Sequence, residues 1–133
     1  MGEEAICNLL RRNGCDLMPM KVLICGGRDY NNYEFMRGVL TVYNIEEIIS
    51  GEARGADTLA RTYAEDYSIR YRGFPADWNT FGKSAGVIRN KRMLVEGKPD
   101  LVIAFPGGRG TANMIKQAKE ANITVLDLSQ DAI

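Results

Sequence analysis

Five short, mainly apolar runs, separated by segments of helical spacing, constrain this chain more than any other feature. They cover residues 21–25, 45–50, 69–74, 100–105 and 123–128. A run such as Val22-Leu23-Ile24-Cys25 is apolar at consecutive positions, the pattern of a strand buried on both faces of a parallel sheet. Glycine or proline follows four of the five runs: Gly26, Gly51, Pro75 and Pro106. The arginines of the third run and its closing Pro75 predict an edge strand.

The intervening segments repeat apolar residues at helical intervals. Asn31 or Asn32 caps a helix whose stripe is Phe35, Met36, Val39, Leu40 and Tyr43. Ala56, Leu59, Ala60, Tyr63, Ala64 and Tyr67 form the cleanest stripe. A weaker helix over residues 83–96 places Val87, Ile88, Leu94 and Val95 on one side, and another over residues 112–121 stops at Asn122. Strand and helix in alternation predict an α/β chain, a Rossmann-like doubly wound parallel sheet of about five strands with helices on both faces. Residues 20–133 form this single domain. Residues 1–19 sustain no period and read as an N-terminal extension, frayed or docked on a partner.

Composition narrows the chemistry. The chain of 133 residues has 17 basic and 17 acidic side chains, so no net field draws it to nucleic acid or an anionic membrane. The lack of histidine excludes Ser-His and Cys-His nucleophiles and the commonest zinc ligand. Cys7, Cys15 and Cys25 form no CxxC pair, so neither a disulfide framework nor a metal site is expected. Cys25 reads as a small core residue. No run approaches the about 20 apolar residues of a membrane span, and no signal peptide precedes the first strand. A cytoplasmic protein without metal or cofactor is the expectation.

In a parallel sheet the strand-to-helix turns lie together at the carboxyl edge, where ligands bind. Three of these turns are rich in glycine, and each carries an arginine. The first is Gly26-Gly27-Arg28-Asp29, and the second runs Ser50-Gly51-Glu52-Ala53-Arg54-Gly55-Ala56-Asp57. The third is Pro106-Gly107-Gly108-Arg109-Gly110-Thr111. Glycine lets the backbone approach a ligand, the following helix presents free N–H donors, and arginine offers a fork matched to phosphate. Singly, each Gly-Gly is tight-turn chemistry and each arginine a solvated side chain; together the three favour an anionic ligand. Trp78 lies on the same edge and either stacks on a nucleobase or plugs the rim. Arg89 and Asn90 reach the ligand if their helix points its first turn there. Asp29, Asp57 and Asp77 are candidate ribose acceptors or general bases, Asp57 having a competing role in stabilising its own helix.

Residues 22–30, 51–57, Arg89-Asn90 and 105–111 together resemble the YspA-like group of the SLOG superfamily, which joins the Smf/DprA proteins with the LOG phosphoribohydrolases. The resemblance spans about residues 21–128. It implies a Rossmann-like fold, homo-oligomers, and a pocket for a nucleotide or nucleotide-derived signalling ligand such as an ADP-ribose-type molecule, used in sensing or sequestration. A LOG-like nucleotide phosphoribohydrolase or N-glycosidase is the alternative, with Asp29, Asp57 or Glu52 as weak catalytic candidates. The LOG pattern continues with glutamates where this chain has Asn113 and Met114, which removes that route's acid–base group. Ser50 to Asp57 matches the Smf/DprA turn, so single-stranded DNA binding is a second alternative, poorly served by a neutral chain.

Overall fold

The computed structural model describes residues 18–129. The elements run β1 (Met20–Cys25), α1 (Tyr33–Leu40), β2 (Ile45–Ser50), α2 (Ala56–Asp66), β3 (Arg70–Gly73), α3 (Trp78–Phe81), α4 (Ala85–Gly97), β4 (Leu101–Ala104), α5 (Arg109–Glu120) and β5 (Thr124–Asp127). A 3-10 turn, Gly82–Ser84, joins α3 to α4. All five strands pair in parallel, in the order β3-β2-β1-β4-β5. The chain builds outward from β1 to β3, then returns to the other side of β1 for β4 and β5. The reversal between β1 and β4 is the switch point at which ligands enter such sheets.

Side-chain alternation divides the core into two layers. Val22, Ile24, Ile48, Ile103 and Phe105 face α1 and α2, meeting Met36, Leu40, Ala56, Ala60 and Tyr63. Leu23, Cys25, Ile49, Val102 and Ala104 face α4 and α5, meeting Met93, Leu94, Met114 and Ala118. β1 and β4 are therefore buried on both sides, as their unbroken apolar runs require. β3 is an edge strand, and its exposed residues, Arg70 and Arg72, alternate with partly buried ones. Asn32 rather than Asn31 caps α1, its Oδ1 accepting the Phe35 N–H at 3.1 Å.

Two expectations are corrected. The buried face of α4 is Ala85, Asn90, Met93, Leu94 and Gly97, while Val87 and Val95 are exposed. The sheet beneath α4 leaves room for small residues: a β-carbon at Gly97 would lie 3.0 Å from Ile49. The last helix starts at Arg109, three residues earlier than expected, because Gly108 serves as its N-cap and Gly110 is helical. Residues 1–17 of the proposed extension lie outside the described residues, as do Cys7 and Cys15. Among the described residues no helix is long and apolar enough to cross a membrane.

Candidate functional site

The three glycine turns meet at the carboxyl edge and lock together, backbone against backbone. The Gly27 N–H donates to Pro106 O at 2.8 Å, and Gly27 O accepts the Ala56 N–H at 3.1 Å. A β-carbon at Gly26 would lie 2.6 Å from Ala56 Cβ, and one at Gly107 would lie 2.6 Å from the Gly27 nitrogen. Gly55 holds a positive φ of 78°, and a β-carbon there would collide with Gly27 O and Arg28. Gly26, Gly27, Gly55 and Gly107 thus have packing duties of their own, and one donor of the α2 terminus is already used.

The second turn is held from below by two charged side chains. Asp57, buried in the first turn of α2, accepts the Ala53 N–H at 3.1 Å. Burial pushes its carboxyl up to about 6, against the hydrogen bond from Ala53 and the attraction of Arg89. Arg89 Nη1 donates to Gly51 O, and its Nε donates to Asn90 Oδ1 at 3.0 Å. Burial lowers the Arg89 pKa from its ordinary value, Asp57 opposes that shift, and Arg28 reinforces it by like-charge repulsion. Asp57 thus acts as the counter-charge of Arg89, and Arg28 is near enough to repel Arg89 as a like charge.

Asn90 carries this arrangement across to the third turn. Its Nδ2 donates to Gly110 O at 3.2 Å and to Asn113 Oδ1 at 3.1 Å. Asn113 Oδ1 also accepts from Gln117 Nε2 at 2.7 Å. The sequence marks Asn113 only as the residue at a LOG glutamate position and does not single out Gln117, although two amides four residues apart on one helix form a recognisable signal. Asn113 thus holds Asn90, and its neighbour Met114 is 1% exposed in the apolar layer under α5. The two places at which LOG hydrolases carry glutamates are here a structural amide and a core thioether.

The proposed catalytic carboxylates sit in different settings, although Glu52 and Asp57 are near enough for Glu52 to help raise the Asp57 pKa. Asp29 is exposed on the first turn. Glu52 faces β3, where it contacts the Tyr71 hydroxyl and lies 3.7 Å from Arg61 Nη1. Tyr71 in turn shares a hydrogen bond of 2.6 Å with the buried Ser50 hydroxyl. Asp77 caps α3, its Oδ1 accepting the Thr80 N–H at 3.1 Å. Trp78, the first residue of α3, is 49% exposed, with the Arg28 guanidinium over its ring at 5.9 Å. Arg54 and Arg109 are exposed on their turns.

The α5 terminus differs from that of α2. Gly108 makes no side-chain cap, and β-carbons at Gly108 and Gly110 would meet nothing within 4 Å. The backbone at Gly108 and Gly110 therefore leaves room for a ligand to approach the α5 terminus beside the switch point. A hollow of about 390 Å3 flanks this terminus, lined by Gly107, Gly108, Thr111, Ala112, Ile115, Lys119, Asp127 and Ser129. It lies on the β5 side and excludes Arg28, Arg89 and Trp78. Lys119, Asp127 and Ser129 were not anticipated, because only the return of β5 beside α5 brings them there.

The model of the YspA, cpYpsA-related SLOG family matches residues 20–81. The Gene 61 protein of Mycobacterium phage D29 is 39% identical over 89 residues, which cover 60% of this chain and 69% of the phage protein. The chain belongs to the YspA, cpYpsA-related SLOG family. The family match takes in the first two glycine turns and Trp78 and ends at Phe81, so the uncapped α5 terminus lies beyond it. Membership of this SLOG family associates the chain with nucleotide-related ligands in general.

Proposed function

We propose that this SLOG protein binds a nucleotide or nucleotide-derived signalling ligand of ADP-ribose type at the carboxyl edge of its sheet, as a sensor or sequestering protein. The observation that carries this reading is the α5 terminus, uncapped and open at Gly108 and Gly110 beside the switch point. A phosphate there would take first-turn N–H donors and the positive end of the helix dipole. Arg28 and Arg89 add cationic charge at the adjoining rim, where an anion relieves their mutual repulsion. The structural partners of Asp57 and Glu52 and the burial of Met114 favour binding over hydrolysis.

Calorimetric titration with a panel of nucleoside monophosphates, NAD and ADP-ribose tests the reading. One ligand binds in the micromolar range or tighter, and Gly108→Asp abolishes that binding by placing a carboxylate among the same N–H groups. The absence of binding by every phosphate-bearing compound of the panel overturns it.

A further inference from the structure

We propose that Trp78 and Arg28 form a subsite for a purine base, in which the base slides between the indole ring and the guanidinium. This deepens the nucleotide-binding reading and rests on it. Trp78 is 49% exposed at the carboxyl edge, although tryptophan carries the largest apolar surface of any side chain. The ring is held at that rim from its own backbone, by the Asp77 cap on α3. The start of α4 borders its far corner, since a β-carbon at Gly86 would lie 3.6 Å from Trp78 Cη2 and 3.9 Å from Arg89 Nη2.

The Arg28 guanidinium carbon lies over the indole at 5.9 Å from the ring centroid, a cation–π distance, so Arg28 covers the face that a base would use. A base stacked between the two groups needs about 7 Å from plane to plane, which a swing of the Arg28 side chain supplies. Arg28 is exposed on its turn, so nothing packed must move. Aromatic and guanidinium planes both stack on bases, and the positive Arg28 remains close enough to serve a phosphate. Residues of α4 link this subsite to the α5 terminus: Gly86 lies beside both Trp78 and Arg89, and Asn90 bonds to Gly110 O. The base end thus lies toward α3 and the phosphate end toward α5.

Trp78 is the only tryptophan of the chain, so intrinsic fluorescence reports this ring alone. The full chain is titrated with AMP, ADP-ribose and ribose 5-phosphate, following fluorescence and heat in parallel. AMP or ADP-ribose is expected to quench the indole and to bind at least tenfold more tightly than ribose 5-phosphate, which leaves the emission unchanged. In Trp78→Ala and in Arg28→Ala the affinity ratio of AMP to ribose 5-phosphate falls towards one, and Trp78→Phe restores most of it. Equal affinity for AMP and ribose 5-phosphate without quenching overturns the base subsite and leaves the phosphate reading intact. Failure of all three compounds to bind overturns both.

Discussion

The carbonyl oxygen of Gly27 accepts the amide hydrogen of Ala56 at 3.1 Å, so the first turn of the sheet occupies the N-terminus of α2. The neighbouring Gly55 has a positive φ of 78°, and a β-carbon added there would collide with the same carbonyl. Gly55→Ala combines an unfavourable backbone conformation with a collision against main chain and should destabilise the protein by about 2–4 kcal/mol. Urea denaturation checks this. A loss below about 0.5 kcal/mol would mean that the two turns are not locked together.

Gly108 occupies the opposite situation, a cap position with open space around it. Gly108→Asp supplies the missing side-chain acceptor and should raise stability by a few tenths to about 1 kcal/mol. The same substitution removes anion binding. Thermal unfolding and calorimetry on one sample therefore move in opposite directions, which a general folding defect does not produce.

Asp57 sets a pH dependence whose sign runs against ordinary acid denaturation. Burial raises its pKa from the usual 3.8 to about 6, so the folded state holds this proton more tightly than the unfolded chain. The contribution of Asp57 to stability is complete below about pH 4 and lost as pH rises through about 6. A shift of this size corresponds to about 3 kcal/mol. Asp57→Asn keeps an acceptor for the Ala53 N–H and removes the titration. Between about pH 4 and pH 7 the variant should gain on the parent by up to about 3 kcal/mol, measured by denaturation at each pH. A difference that stays constant with pH excludes this mechanism. Asp77, Glu96 and Asp127 have lowered pKa values and act oppositely, but they are common to both proteins and cancel in the comparison.

Asn90 joins α4 to the first turn of α5 through Gly110 O and Asn113. Asn90→Ala removes the bonds of a buried amide to partners that are themselves exposed or half-buried and should cost about 1 kcal/mol. Because the Gly110 carbonyl belongs to the open helix terminus, phosphate affinity should fall as well. Unfolding and binding measurements with ADP-ribose distinguish this linkage from a purely local loss, in which affinity stays unchanged.

Tyr71 and Ser50 share a hydrogen bond of 2.6 Å beneath the second turn. Tyr71→Phe leaves the fully buried Ser50 hydroxyl without that partner and should lower stability by about 1–3 kcal/mol. Ser50→Ala combined with Tyr71→Phe should recover part of the loss, since removing both polar groups removes the stranded one. A double-mutant cycle reads this coupling directly.

The order of strands and helices, the parallel sheet and the gathering of the glycine turns at one edge follow from local information. Apolar runs and helical stripes reveal which faces need burial, and glycine marks backbone that side chains would obstruct. Local pattern does not say which donor is already used. Gly55-Ala56 and Gly108-Arg109 look alike along the chain, yet Ala56 N–H meets Gly27 O whereas a side chain at Gly108 would meet nothing within 4 Å. Nor does it orient α4, whose buried face includes Asn90 because Gly110 and Asn113 lie opposite it. Trp78 was equally compatible with a plugged rim or an open one until α3 held it at the edge. These outcomes depend on pairings between residues far apart in the chain, and such pairings are fixed by packing and hydrogen-bond satisfaction in three dimensions, for which a local pattern carries no record.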